Sequence, residues 1–417
     1  MIAQTEAGSE RVEQLVVQEV RAVWGRLAIA ASGQAAEQLA LEWSRKVGQA
    51  VLEAGLQARV EAVEQEASRA CECGGRRYVH SRRWRSVVTL LAVVRVRRRY
   101  LRCERCGAMS FPADQWLGWR DAFSRGVQEA VAWLSAALPY RQALAGLRRL
   151  AGVELSLSAA ERIVACWGSQ PLPRSPYEQR VKGRLVVEID GTTAHLEDGW
   201  REVKLATCME WYRGKPRSIT YLADWLSSEE FAQPLYQEAL ARGAPTARAV
   251  AVVADGAPWI WNTADMLFPR SVQILDWYHA CEHLWQGGRV VHGEGTPDTA
   301  ALVDRWKGEL MHGHSEGLEQ ELRQWAVSVG DPEQILRKTA DYLATHQARL
   351  RYHLFRAARW PIGSGVAEGG CKHLIDARLK RKSTRWTKPG ARSVLNLRLD
   401  ILNDRWQQRC DSLPLAA

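Results

Sequence analysis

The chain has 417 residues, of which 46% are hydrophobic and 25% charged, with a net charge of +10. This composition is ordinary for a soluble globular protein, so wholesale disorder is excluded, and the length predicts about two to four domains. No run of about 18 apolar residues is present, which excludes a membrane-spanning helix. No basic segment followed by an apolar one opens the sequence, so we expect no secretory signal and a cytoplasmic, nucleoid-associated protein.

The first predicted elements are two or three amphipathic helices over about residues 9–68. This segment is rich in Ala, Glu, Leu, Gln and Val and contains no Pro. Its apolar residues recur at spacings of three and four, as in Val12, Val16, Val20 and Val23. We therefore assign residues 1–69 to an N-terminal helical domain, which serves either packing within the protein or dimerisation.

Four of the nine cysteines form two short knuckles, Cys71-Glu-Cys73-Gly-Gly and Cys103-Glu-Arg-Cys106-Gly. Four thiolates are a standard ligand set for structural zinc, and the odd total disfavours a disulfide framework. The β-branched residues between the knuckles predict a β-hairpin or a single strand that joins them. The first knuckle has one intervening residue rather than the commoner two, so unpaired structural cysteines are the alternative. We predict a zinc-ribbon-like DNA-binding module at residues 70–119.

Positive charge is concentrated in two segments. Residues 76–105 contain eleven Arg and one acid, and residues 372–392 contain eight Lys or Arg and one acid, whereas the rest of the chain is net acidic. Such segments predict contact with a polyanion, and an aromatic residue among them can stack on a base. The candidate DNA-binding residues are Arg95, Arg97, Arg98, Arg99, Lys372, Arg378, Lys380, Arg381, Lys382, Arg385, Trp386 and Lys388.

Residues 120–177 are predicted to be helical. Gly152 ends one helix, and Ser158 with Glu161 forms a capping box that opens the next. This pattern is typical of a helix-turn-helix motif that reads DNA, and also of an ordinary helical hairpin. The three prolines in residues 168–179 predict a linker.

After the linker the pattern changes to alternating strands and helices. We predict strands at residues 184–190, 200–211 and 217–225, a helix at 229–242, strands at 247–255 and 271–276, and helices over 278–358. This order favours an α/β RNase H-like catalytic domain at residues 178–410, with a helical insertion at about 284–358.

Two acids come at the ends of apolar strands in this domain. Asp190 and Asp255 are each followed by Gly, and an Asp-Gly turn is the structural alternative to a functional role. On adjacent strands their carboxylates would reach one divalent cation, and Mg²⁺ prefers such oxygen ligands. Glu368 follows the Gly-rich sequence PIGSGVA and precedes the second basic segment, so we expect it to supply a third carboxylate.

From about residue 70 onward the chain resembles bacterial insertion-sequence transposases of the ISKra family, which are related to Mutator-like elements. The motifs that carry the resemblance are CxC…RRRYLRCERCG, VVEIDGT, VVADGAPWIWN, ILDWYHACEHLW and GSGVAEGGCKHLIDARLKRKSTRW. The resemblance implies that Asp190, Asp255 and Glu368 form a DDE triad that binds two Mg²⁺ ions. It also matches Asp276-Trp-Tyr-His279 to a D-x-x-H signature, in which His279 positions DNA, assists proton transfer or caps a helix.

The resulting expectation is a transposase that binds double-stranded DNA at the element ends and at the target. It would cleave the ends and join them by strand transfer, as a homo-oligomer that brings two ends together. Two alternatives remain: a non-catalytic DNA-binding protein derived from a transposase, and an RNase H-like nuclease that only hydrolyses.

Overall fold

The computed structural model describes residues 2–119, 121–172, 181, 183–331, 334–382 and 384–413. The chain divides into two compact units, one of Met1–Trp167 with Gln407–Ala417 and the other of Gly168–Trp406. Helices and sheets are both present, so the fold is mixed α/β. Among the described residues no helix is long and apolar enough to cross a membrane. Most of the predicted linker lies outside the described residues, and the boundaries of the four predicted domains stay predictions.

In the described residues up to Gly168, the first part of the chain forms six helices and one sheet. Its elements in chain order are α1 (Ile2–Ala28), α2 (Gly33–Glu66), β1 (Arg77–Val88), β2 (Val93–Cys103), β3 (Met109–Ser110), α3 (Pro112–Leu117), α4 (Arg125–Ala137), α5 (Tyr140–Ala151) and α6 (Leu157–Gly168). The sheet has the order β1-β2-β3 and is antiparallel throughout. The helical N-terminus and the hairpin between the cysteine knuckles are thus confirmed.

The strand β2 is bordered by the long helix α2 along most of its length. Gln57 of α2 accepts a hydrogen bond from the backbone N–H of Arg97 and donates one to the backbone oxygen of the same residue. One turn earlier, Glu53 accepts the backbone N–H of Arg95. The two contacts are four residues apart on the helix and two apart on the strand. Four residues of a helix advance about 6 Å and two residues of a strand about 6.7 Å, so successive helix side chains reach successive strand positions. Side chains of α2 therefore occupy the edge of β2 as a neighbouring strand would.

The helices α5 and α6 are joined by a short loop. Gly152 ends α5 in the left-handed conformation, with φ 67°, as a helix C-terminus favours. The predicted capping box of Ser158 and Glu161 is wrong by two residues, because Ser156 accepts the backbone N–H of Ala159 and α6 begins at Leu157. Ser156 and Ser158 can both accept a hydrogen bond at a helix N-terminus, and in the structure Ser156 does so.

The second unit is built on a five-stranded sheet. Its elements in chain order are β4 (Arg184–Leu196), β5 (Gly199–Tyr212), β6 (Lys215–Asp224), α7 (Ser228–Ala241), β7 (Ala249–Ala254), α8 (Pro258–Leu267), β8 (Val272–Leu275), α9 (Trp277–His292), α10 (Pro297–His312), α11 (Ser315–Ser328), α12 (Ile335–Thr345), α13 (Tyr352–Ala357), α14 (Gly365–Gly370), α15 (Ala377–Leu379) and α16 (Lys388–Leu402). A π-helical turn, Cys371–Asp376, joins α14 to α15. The chain ends in α17 (Trp406–Ser412), which from Gln407 belongs to the first unit.

The sheet of the second unit has the order β6-β5-β4-β7-β8. The pairs β4–β5 and β5–β6 are antiparallel, and the pairs β4–β7 and β7–β8 are parallel. The strand β4 continues to Leu196, so the prediction that it ends at Asp190 is wrong. It continues because β5 stays paired with it from Arg184 to Leu196. Gly191 is thus a strand residue, and the Asp-Gly turn does not apply at Asp190.

Helices occupy the predicted helical region after β8. Trp306 of α10, Leu322 of α11 and Leu336 of α12 are fully buried and belong to the same apolar core as the central strands. Burial of such side chains stabilises a helical layer by roughly 1.5–3 kcal/mol each.

Candidate functional site

The four knuckle cysteines come together at one end of the β1-β2-β3 sheet. Their sulfur atoms all lie within 4.8 Å of one another, with 3.7 Å between Cys71 and Cys106 and 3.6 Å between Cys73 and Cys103. Four sulfurs around a tetrahedral zinc at about 2.3 Å are about 3.8 Å apart. The cluster therefore has the spacing of a zinc site and could hold this ion.

Glycines allow the chain to turn at each knuckle. Gly74 and Gly107 have φ of 78° and 72°, in the left-handed region that residues with a side chain avoid. Their backbone N–H groups donate to the backbone oxygens of Cys71 and Cys103, at 2.9 and 3.1 Å. The shorter knuckle is thus closed by a hydrogen bond between residues three apart, and the longer knuckle by one between residues four apart.

Backbone amides around the cluster favour a negative charge on one sulfur. The N–H groups of Cys106 and Arg105 lower the pKa of the Cys103 thiol to about 6. Cys73 also receives a backbone N–H, from Gly75, but hydrogen bonds with neighbouring sulfurs, that of Cys106 foremost, raise its pKa to about 12. Thiolates this close repel one another, and a zinc ion bound by all four as anions would remove the repulsion.

In the second unit, Asp190 and Asp255 lie where the parallel pairing of β4 and β7 ends. The last paired residues are Ile189 and Ala254, so the aspartates are the next residues along each chain segment. Burial raises the pKa of Asp190, and the negative charge of Asp255 raises it further. Two neighbouring carboxylates with this mutual repulsion are the kind of ligand pair that a divalent cation neutralises.

Two other acids hold the beginning of α14. Glu188 is 1% exposed, and its Oε2 accepts the backbone N–H of Ala367 at 2.8 Å. Asp276 is 2% exposed, and its Oδ2 accepts both the backbone N–H and the hydroxyl of Ser364. The first N–H groups of a helix have no partner inside the helix, so these carboxylates complete their hydrogen bonding. They fix α14, which carries Glu368, against β4 and the end of β8.

The electrostatics of these two acids differ. Burial raises the pKa of Glu188 to about 8, although the backbone N–H groups of Ala367 and Val366 oppose the shift. Burial acts in the same direction on Asp276, but hydrogen bonds from His279 and Ser364 outweigh it and hold the pKa of Asp276 at about 2. Asp276 is therefore an anion at neutral pH, with two residues arranged to stabilise its charge.

Glu368 lies on α14 with its side chain 53% exposed, and its Oε1 accepts a hydrogen bond from Lys372 at 2.6 Å. Asp190, Asp255 and Glu368 are not gathered as closely as the cysteines are. In the described part of the chain, the four cysteines are the set of metal-binding side chains that lies within 4.8 Å.

His279 lies in the first turn of α9. Its Nδ1 is 3.3 Å from Oδ1 of Asp276, without the alignment of a hydrogen bond, so the contact is mainly one of opposite charges. Asp276 raises the pKa of His279 to about 9. The helix cap is Asp276 itself, whose side chain accepts the backbone N–H of His279 at 2.9 Å.

The predicted DNA-binding residues differ in exposure. In the first unit Arg95 and Arg97 are exposed, whereas Arg98 is buried beside Asp114 and Phe111 and Arg99 pairs with Glu64. In the second unit Arg378 and Trp386 are 2% and 8% exposed, and the guanidinium lies 4.7 Å from the ring centroid. Trp386 is therefore not available for stacking on a base. The other predicted DNA-binding residues of the second unit are exposed, namely Lys372, Lys380, Arg381, Lys382, Arg385 and Lys388.

Sequence reasoning missed Glu188 and Cys371. Glu188 lies two residues before Asp190, which puts both on one face of β4, and an acid inside the apolar run VVEID was the available signal. Cys371 donates a hydrogen bond from its sulfur to Oδ2 of Asp190 at 3.5 Å. No spacing rule could reveal that contact, because 181 residues separate the two partners.

No protein-family model matches the chain, and no curated protein sequence matches it. Among solved structures, a chain of the cryo-EM structure of the simian T-cell lymphotropic virus intasome in complex with PP2A regulatory subunit B56 gamma is similar at 13% identity. The match covers 47% of this chain and 63% of that chain, with a TM-score of 0.16. The two chains thus share no overall superposition, and nothing about this chain follows from the match.

Proposed function

We propose that this protein is a transposase of the DDE type, as the motifs shared with the ISKra family imply. The observation that carries the proposal is the pair Asp190 and Asp255, which follow the last parallel residue pair of β4 and β7. The strand order β6-β5-β4-β7-β8, with three antiparallel strands and then two parallel ones, supports an RNase H-like core.

The chemistry of these carboxylates supports the ions that the proposal requires. Asp190 and Asp255 offer oxygen ligands at a half-buried edge of the sheet, and Glu368 offers a third carboxylate from α14. Two bound Mg²⁺ ions would activate the attacking oxygen and stabilise the leaving oxygen of a phosphodiester. Glu188 and Asp276 hold the start of α14, so they set where Glu368 stands relative to the two aspartates.

Positively charged residues surround this edge. Lys372 lies beside Glu368, and Lys380 donates to Thr192 of β4 at 3.4 Å. We infer that the exposed Lys and Arg of residues 372–388 bind DNA phosphates next to the acids. His279, held as a cation by Asp276, would orient a phosphate or donate a proton.

Three further parts complete the proposal. The cysteine cluster binds structural zinc, the DNA partners are the element ends and the target, and the protein assembles as a homo-oligomer because two ends must be joined together. The cysteine spacing supports the zinc, and the DNA and the oligomer rest on the proposed chemistry.

The test is a strand-transfer assay with a plasmid that carries the element ends. We expect Asp190→Asn, Asp255→Asn and Glu368→Gln to reduce joining in Mg²⁺ by two or more orders of magnitude, roughly the loss when a group that stabilises the transition state is removed. Asp198→Asn is the matched control, because Asp198 is an exposed acid that pairs with Arg201 at the end of the β4–β5 turn. It should keep wild-type joining.

Other outcomes would replace the proposal. Cleavage of the ends without any joined product would favour a hydrolytic nuclease. DNA binding without cleavage in either Mg²⁺ or Mn²⁺ would favour a non-catalytic protein. Near wild-type joining by the Glu368→Gln variant would remove Glu368 from the triad.

A further inference from the structure

The hairpin of β1 and β2 has two faces with different contents. Its register pairs Arg82 with Arg99, Trp84 with Arg97 and Ser86 with Arg95. Residues that are directly opposite in an antiparallel pair share a face, and so do residues two apart on one strand. These six residues therefore form one surface, which we call the outer face.

The opposite face of the hairpin is used for packing. Val94 and Val96 are fully buried, and Val96 lies in a small core with Val60 and Ala113. Arg98 is on this side and is buried against Asp114. Arg85 on the same face donates to the backbone oxygens of Trp119 and Asp121, and the exposed Arg83 lies 4.0 Å from the ring centroid of Tyr100. The arginines of the inner face thus have partners within the fold.

The edge of β2 is satisfied separately by α2, as described for Gln57 and Glu53. The hydrogen bonds there involve the backbone of Arg95 and Arg97, not their guanidinium groups. Arg82, Arg95 and Arg97 are exposed, and Trp84 between them is 64% exposed. The outer face therefore presents three cations around a large aromatic ring.

We propose that the outer face of the β1–β2 hairpin lies in the major groove of double-stranded DNA. Arg82, Arg95 and Arg97 bind phosphates or guanine edges, and Trp84 packs against the groove wall. This deepens the proposed function, on which the choice of DNA as partner rests. The major groove of B-form DNA is about 12 Å wide and admits a two-stranded β-ribbon, and its phosphates complement the charge of this face.

The geometry discriminates between nucleic acids. Double-stranded RNA has a deep and narrow major groove that protein elements do not enter. A ribbon that enters the groove should therefore prefer duplex DNA to duplex RNA of the same sequence. A face that only attracts phosphates should bind both.

The experiment measures binding of the full-length, zinc-loaded protein to a labelled mixed-sequence 20-bp DNA duplex by fluorescence anisotropy over a range of salt concentrations. The double variant Arg95→Ala/Arg97→Ala should weaken binding roughly tenfold or more and lower the slope of log K against log salt by about 1.8, since each phosphate contact contributes about 0.9. The control Arg21→Ala/Arg26→Ala removes the same charge from exposed positions on α1 and should have little effect.

Trp84→Ala tests the aromatic contact. It should weaken duplex binding roughly tenfold without changing the salt slope, because the change removes apolar contact area and leaves the phosphate contacts of the arginines in place. Trp24→Ala is its control, since Trp24 is 73% exposed on α1. Zinc content and circular dichroism show whether each variant is folded.

The assignment of this face would be overturned if Arg95→Ala/Arg97→Ala and the control Arg21→Ala/Arg26→Ala weakened DNA binding equally. Equal affinity of the wild-type protein for duplex DNA and duplex RNA would also overturn it. Failure of the proposed function looks different. If the wild-type protein joins no DNA but the outer-face variants lose duplex binding, the face is correct and the transposase is not. If those variants bind DNA normally while Asp255→Asn loses joining, the transposase proposal stands and the assignment of the outer face is wrong.

Discussion

Single residues in the second unit acquire their properties from neighbours that are distant in sequence. Asp276 accepts a hydrogen bond from Ser364, which is 88 residues away, and also contacts His279 of α9, the helix that it caps. The carboxylate is an anion with a pKa of about 2, and the imidazole beside it has a pKa of about 9. One short segment thus carries a stable pair of opposite charges.

The pair predicts a defined pH dependence. A raised pKa at His279 means that its contribution to stability is complete below about 6.5 and is lost as the pH rises through about 9. A lowered pKa at Asp276 means that its contribution is complete above about 3.8 and is lost as the pH falls to about 2. We expect Asp276→Asn to bring the pKa of His279 down toward 6.5.

Proton–carbon NMR of the imidazole groups measures this shift, and the His279→Gln variant identifies the resonance. Asp265→Asn removes an exposed acid that bonds Gln273, and should leave the pKa of His279 unchanged. A pKa for His279 near 6.5 in the wild-type protein would contradict the ion pair.

At the scale of elements, the sheet of the first unit is small and has the cysteine cluster at its end. β3 has only two residues, so most of this sheet is a two-stranded hairpin, which is marginally stable in water without further support. The cysteine cluster links the residues before β1 to the end of β2 and the residues that follow it, so a metal bound there would add directly to folding.

Zinc removal should therefore unfold this sheet. We expect about one zinc per chain, and expect Cys103→Ser to lower this ratio toward zero with loss of the β-strand signal in circular dichroism. Cys166→Ser is the control, because Cys166 is an exposed cysteine outside the cluster. Elemental analysis of the purified proteins gives the ratio, and unchanged zinc in Cys103→Ser would show that the cluster is not the site.

At the scale of the whole molecule, the second unit depends on contacts between the helical segment and the sheet edge. Tyr342 of α12 packs on Gly256, directly after Asp255, and a Cβ on Gly256 would stand 2.2 Å from its ring. The glycine is required by this close approach and not by its backbone angle. The helical segment thereby helps to fix the turn that carries Asp255.

Gly256→Ala should destabilise the protein by about 1–3 kcal/mol, since the added methyl overpacks the contact. The same change in a Tyr342→Leu background should cost less, because the ring that it meets is absent. Urea unfolding of the wild type, the two single variants and the double variant gives the coupling free energy between Gly256 and Tyr342. Gly317→Ala, a helical glycine with no heavy atom within 4 Å of its Cβ position, should be neutral or slightly stabilising. If the losses of stability caused by Gly256→Ala and Tyr342→Leu simply add in the double variant, the two residues are not in contact.

The sequence by itself determined most elements and the four cysteines of the first unit that could bind a metal. The spacing of Cys71, Cys73, Cys103 and Cys106, and the periodicity of helices and strands, are local patterns that the chain must satisfy. It also indicated Asp190 and Asp255 as candidates, because an acid at the end of an apolar run is visible in the sequence.

Only the tertiary structure decided which side chains are available for chemistry. Arg98, Arg378 and Trp386 belong to basic segments, yet burial places them in packing. The role of Glu188 depends on a hydrogen bond to a residue 179 positions away, and the strand β4 extends past Asp190 because β5 pairs with it. Burial and pairing between distant segments are properties of the folded chain, and no local pattern records them.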